Sequence, residues 1–231
     1  MAKRMWRGRW AGVVILAMAA AVLPLATNAA AVTPGNVGGL TDDNVLFSGC
    51  IGAQQADGTL VQGCLNGDKA TLVDFQSTES LHVNGGQARI EAVDGDFQDL
   101  TIGFDNPLYG MTSLILNINT DASDLSGQVN FTVHFLGGTP DYTSDFFNIS
   151  NGSNFFTLLA GVGELMDTVL VQSSGVALQS VRFDDIRQVR IGGPVDPLAT
   201  GSVPEPGTLA LFAIGLAGLG FSRRNRTSVA G

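Results

Sequence analysis

The sequence predicts an all-β body, an antiparallel β-sandwich with jelly-roll-like connections, flanked by an N-terminal signal helix and a single C-terminal transmembrane helix. Three observations predict it. Apolar residues recur at every second position, most clearly in Gln128-Val129-Asn130-Phe131-Thr132-Val133-His134-Phe135, which places Val129, Phe131, Val133 and Phe135 on one face of a half-buried strand. Turn signals punctuate the chain at the spacing of short strands: Asn84-Gly85-Gly86, Asp94-Gly95, Gly137-Gly138-Thr139-Pro140, Asn151-Gly152 and Ser173-Ser174-Gly175. No stretch of the body sustains a helical face, and Gly161 and Gly163 argue against a short helix over 155–166.

The chain opens with Lys3, Arg4, Arg7 and Arg9, followed by the apolar run Trp10 to Ala26, which Pro24 interrupts and Thr27-Asn28-Ala29-Ala30-Ala31 closes. A basic leader, an apolar core and a small-residue exit are the parts of a secretory signal peptide, here residues 1–31, with cleavage expected after Ala29 or Ala31. Export changes the meaning of the composition. Of 12 Lys and Arg residues, four lie in the leader and three follow Phe221, so the stretch 32–202 keeps 5 cations against 20 carboxylates, a net of −15. Such a surface repels phosphate backbones and anionic headgroups, which excludes nucleic acid as a partner. The stretch is long enough for one domain with a real core, read as 32–191.

Cys50 and Cys64 bracket a polar loop holding the Asp57-Gly58 turn. In an oxidising compartment a lone pair at this spacing reads as a disulfide, and the loop lacks the His and acidic ligands of a metal site. Strand faces follow at Val73 with Phe75, Ile90 with Ala92, Leu100 with Ile102 and Phe104, and Leu114 with Leu116 and Ile118. Near the end of the body the phase slips between Leu178 and Val181 and again between Ile186 and Val189. A one-residue slip reverses the buried face, so bulges are expected near Gln179-Ser180 and Arg187-Gln188.

The chemical inventory is thin. His82 and His134 sit at polar strand positions and read as surface residues, and no nucleophile elbow, zinc-helix motif or phosphate loop is present. A non-catalytic protein is therefore expected; the alternative is a secreted glycan-acting hydrolase using a carboxylate pair, which must converge in space and leaves no mark along the chain. Asp94, Asp96 and Asp99 crowd three carboxylates beside a Gly turn, a pattern that suits either an oxygen-ligated calcium ion or an ion-free acidic turn. Asp184-Asp185 carries the same ambiguity. No other cofactor is indicated. Exposed Asn, Thr and Ser would suit polysaccharide, although both tryptophans, Trp6 and Trp10, leave with the leader.

A Gly/Pro-rich tether, 192–202, leads to the C-terminal segment 203–226. There Val203-Pro204-Glu205-Pro206 precedes an apolar run, Thr208 to Phe221, and a basic tail, Arg223, Arg224 and Arg226. The run from Gly207 to Ser222 spans about 24 Å as a helix at roughly 1.5 Å per residue, short for a bilayer core of about 30 Å, and arginine snorkelling at its end can close the difference. Motif, helix, tail and position together resemble the PEP-CTERM sorting signal of exported Gram-negative bacterial proteins. The resemblance implies export across the inner membrane, transient anchoring there by the C-terminal helix, cleavage by an exosortase near Pro204-Glu205-Pro206, and placement at the cell surface or outside it, alongside exopolysaccharide and biofilm production.

Overall fold

A strand with one apolar face is stable only when something covers that face. In the computed structural model, which describes residues 30–85, 89–120, 127–173 and 183–198, the sheet covers itself. Its strands are β1 (Ala31–Pro34), β2 (Asp43–Leu46), β3 (Gly58–Leu65), β4 (Leu72–Asn84), β5 (Arg89–Ala92), β6 (Asp99–Phe104), β7 (Ser113–Thr120), β8 (Gly127–Phe135), β9 (Tyr142–Thr143), β10 (Phe147–Ile149), β11 (Gly152–Leu159), β12 (Met166–Ser173) and β13 (Phe183–Gly192). Among the described residues the one helical piece is a 3₁₀ turn, Leu136–Gly138.

Hydrogen bonding links the strands in the order β1-β11-β7-β13-β2-β3-β4-β6-β12-β8-β10. Along that path β11 and β8 stand near opposite ends, yet the rings of Phe156 and Phe131 meet at 4.9 Å between centroids, and Phe156 meets Phe147 of β10 at 5.5 Å. Such contacts require the sheet to double over into two packed layers. One layer holds β1, β11, β7 and β13; the other holds β4, β6, β12, β8 and β10. The fold line has two links, β2 with β3 on one side and β5 on the other, where β5 pairs with both β13 and β4. After β6 the chain changes layer from β6 to β7, β7 to β8, β10 to β11, β11 to β12 and β12 to β13.

The alternation read from sequence sets the core. Val129, Phe131, Val133 and Phe135 point inward from β8, as do Leu114, Leu116 and Ile118 from β7 and Val73 and Phe75 from β4. Phe97 and Phe183 join them edge to face at 5.5 Å. On β7 the opposite face is covered as well: Ser113, Ile115 and Asn117 are buried. The chain after β1 crosses there, with Val37 N donating to Thr157 Oγ1 and Thr157 Oγ1 donating to the Gly35 carbonyl, Thr157 being the cross-strand neighbour of Ile115. The bulge expected near Arg187-Gln188 is present as a register shift of β13 against β7. The one expected near Gln179-Ser180 lies outside the described residues.

Cys50 and Cys64 form a disulfide with Cα atoms 5.5 Å apart. It ties the loop after β2 to the buried end of β3 and stabilises by about 3 kcal/mol through restriction of the unfolded chain. Two boundaries of the sequence reading fall on described strands or their pairings. Gly192 ends β13 and Val195 exchanges two backbone hydrogen bonds with Gly110, at 2.9 and 3.0 Å, so the start of the expected tether belongs to the sheet. At the other end, Ala30 is buried and Ala31 pairs with Leu159, so a leader cut after Ala29 leaves β1 whole whereas a cut after Ala31 removes its first residue. The expected signal helix and C-terminal transmembrane helix fall outside the described residues.

The inter-layer packing is testable at one ring. Phe156→Ala should lower the unfolding free energy by about 3–5 kcal/mol in urea denaturation, since it removes an aromatic side chain from a closed core; a loss below about 1 kcal/mol would mean that the layers do not press together at this point.

Candidate functional site

Charge gathers at the fold line. Asp185 of β13 stands opposite Glu91 of β5 and Asn119 of β7, and Glu91 stands opposite His82 of β4. A bulge between Phe183 and Asp185 turns the Asp185 side chain into the layer, where it is fully buried. An ionised carboxylate is held there only if cations and donors surround it. Arg89 Nη2 lies 3.0 Å from Asp185 Oδ2 and Arg187 Nε lies 3.1 Å from Oδ1, while Asn119 Nδ2 donates to Asp185 Oδ2 at 3.2 Å. Burial pushes the Asp185 carboxyl above the ordinary carboxylate range, with Arg187 and then Arg89 pulling against it.

Above this cluster opens a groove of about 450 Å³, walled by Asp57, His82, Glu91, Val93 and Asp184. Each of its carboxylates already has a partner. His82 Nδ1 lies 2.7 Å from Asp57 Oδ1, Arg89 Nη2 lies 2.5 Å from Glu91 Oε1, and Asn119 Nδ2 donates to Asp184 Oδ2 at 2.9 Å. A glycosidase needs one carboxyl kept protonated and a second free to attack or to activate water. In this groove the acids are each engaged by a side chain of the body: Asp57 by His82, Glu91 by Arg89 and Asp184 by Asn119.

A second acidic pair sits on the outer face of the other layer. The Gln62 amide donates to Asp74 Oδ1 at 2.8 Å and to Asp105 Oδ1 at 3.0 Å, while its oxygen accepts from Gln54 N at 2.9 Å. Partial burial raises the Asp74 pKa; Gln62 opposes the rise and the nearby Asp105 adds to it. Asp105 itself is exposed.

The other expected sites fare differently. Asp94 lies in the turn made by Gly95, which takes φ 114°, and Asp99 opens β6 with its carboxylate committed to Thr78, accepting from the backbone N at 3.1 Å and from the hydroxyl. Among the described residues no three His, Cys, Asp or Glu side chains gather closely enough to hold a metal ion. His134 pairs with Asp141 at 2.9 Å on the outer face, in line with its polar strand position. Val203, Pro204, Glu205, Pro206 and the tail arginines Arg223, Arg224 and Arg226 lie outside the described residues. Sequence reasoning missed the grouping of Asp57, Arg89, Glu91, Asn119 and Arg187. One signal was available: Arg89 and Arg187 are two of the body's few cations, and a cation on a partly buried strand of an acidic domain must find a carboxylate.

The fold and its grooves thus define an acidic all-β domain; the end of the chain adds its own label. Residues 202–224 match the family model of the PEP-CTERM protein-sorting motif, and the chain carries that signal at its C-terminus. No curated protein matches the chain. Among solved structures it is similar to a family 29 carbohydrate binding module from Piromyces equi, at 15% identity and a TM-score of 0.31 over 70% of this chain and 89% of that one. A point mutant of CBM29-2 gives 13% identity and a TM-score of 0.31 over 74% and 93%, and a further family 29 module gives 14% and 0.28 over 75% and 99%. At these TM-scores the likeness carries no argument about fold or ligand.

The raised Asp74 pKa fixes the sign of a pH effect. A carboxyl that keeps its proton to higher pH in the native state than in the unfolded state contributes stability that is full below the unfolded value, near 3.8, and is lost as pH rises through the native value. Asp74→Asn removes that titration. Relative to the parent, the variant should therefore gain stability as pH rises above about 4 in thermal denaturation; a difference independent of pH would contradict the assignment.

Proposed function

We propose that this chain is an exported, non-catalytic surface or extracellular-matrix protein, sorted and cleaved by an exosortase. In this reading residues 1–31 carry it across the inner membrane and the segment 203–226 anchors it there. Cleavage near Pro204-Glu205-Pro206 then frees an acidic sandwich to the cell surface or the medium, where it associates with exopolysaccharide in a biofilm. The observation that carries the reading is the sorting-motif match at residues 202–224. Chemistry of the segment supports it: prolines favour extended backbone around the one carboxylate, the apolar run favours hydrocarbon, and three arginines favour water.

Three features of the body accord with display rather than turnover. Its strands change layer repeatedly, a jelly-roll-like wiring that ties most of the chain into one cooperative unit. Its grouped carboxylates are occupied by His82, Arg89, Arg187, Asn119 and Gln62, which takes support from the hydrolase alternative. A net of −15 also keeps copies apart in solution.

Glu205 is the most specific test. With Glu205→Gln expressed in the native host, full-length protein should accumulate in the inner-membrane fraction while the parent is cleaved. Equal processing of the two would show that the carboxylate is not read.

A further inference from the structure

β13 lacks a neighbour over part of its length. β2 reaches it at Arg190↔Asn44 and Ile191↔Asp43, β5 reaches it at Asp185↔Glu91 and Ile186↔Ile90, and the stretch 187–189 lies in the gap between them. Here β13 also bulges against β7, and Gln188 takes φ 55°, the one non-glycine residue with positive φ among those described. A side chain held in the left-handed region costs of order 1 kcal/mol or more, and such residues collect at binding sites. The strain turns Gln188 outward, where it is exposed.

The gap is a groove of about 370 Å³, backed by apolar residues that include Val189 and edged by Asn44, Asn66, Gln188 and Arg190. Among the described residues its lining holds no acidic side chain. Whereas Arg89 and Arg187 are bound to carboxylates, Arg190 is half-buried and has no ion pair among the described residues. A guanidinium left open in a domain with four times as many acids as cations is an anomaly. Guanidinium forks match carboxylates through two parallel hydrogen bonds. The amides beside it can donate and accept together, as vicinal hydroxyls require. Asn66 Oδ1 takes only a long contact from Lys69 at 3.3 Å, and Gln188 Oε1 one of 3.4 Å from Asn117, so the amide NH₂ of Gln188 is free to donate.

A carboxylate beside a ring of hydroxyls is the chemistry of a uronic acid. We propose that this groove binds a uronate unit of an acidic polysaccharide, its carboxylate on Arg190 and its hydroxyls on Asn44, Asn66 and Gln188. The inference rests on the reading that the protein is exported into polysaccharide. A volume near the lower end of small-ligand sites, roughly 300–1,000 Å³, suits one or two sugar rings. The acidic body does not forbid such a ligand: distant charges are screened beyond about 8 Å at physiological ionic strength, so contacts inside the groove decide.

The test is calorimetric titration of the detergent-purified full chain with oligogalacturonate and with a neutral oligosaccharide of equal length. The uronate oligomer should bind saturably and at least tenfold more tightly than the neutral one, and Arg190→Gln should remove that preference. Gln188→Gly relieves the positive φ, so it should fold at least as well as the parent and still bind several-fold more weakly. Equal affinity for the two oligomers, no binding of either, or unchanged binding by both variants would overturn the assignment. None of these outcomes would touch the sorting reading, which fails or stands on the processing of Glu205→Gln.

Discussion

A single sheet with one apolar face has no cover except itself, and the rest of this structure follows from that constraint. Phe131 and Phe156 belong to strands near opposite ends of the hydrogen-bonded path, yet they touch. Their contact obliges the sheet to double over and the chain to pass repeatedly between layers. Doubling creates a fold line, and a fold line cannot be fully paired: β2 and β5 each reach only a few residues of β13. Both grooves and the buried Asp185 lie along that line. Where backbone pairing runs out, side chains must satisfy what remains.

Scarcity of cations explains how they do so. Arg89 and Arg187 converge on Asp185, which is fully buried and would be untenable as an anion without them. Removing one member of such a cluster leaves an uncompensated charge, so the group acts as a clamp between β5 and β13 rather than as an interchangeable surface pair. A few residues along the same strand, Arg190 faces amides and, among the described residues, no acid. Two adjacent grooves therefore differ in character, one walled by committed carboxylates and the other open to an anion.

Much of this was legible along the chain. The alternation in β8, the inward face of β7 and the bulge at Gln188 are local, and period-two reasoning finds them. The disulfide was legible because two cysteines admit one pairing. Burial of Ile115 and Asn117 on the outer face of β7 was not, because the cover comes from residues near Val37, 120 positions from their hydrogen-bond partner Thr157. The charge cluster is equally non-local, drawing Asp57, His82, Arg89, Asn119 and Asp185 from five separate segments. Nearness in sequence left the Asp94, Asp96 and Asp99 trio open between an ion and an acidic turn; the commitment of Asp99 to Thr78 across two strands is a non-local contact that spacing along the chain does not show.

The described body is an acidic sheet folded on itself, and residues 202–224 match the motif that, in the reading proposed above, decides where it goes. The account accordingly stands or falls on the mature end of the chain. Mass spectrometry of the native protein recovered from outside the inner membrane should find a C-terminus within residues 203–206. A mature chain that still ends at Gly231 would contradict the account and leave a permanently anchored protein.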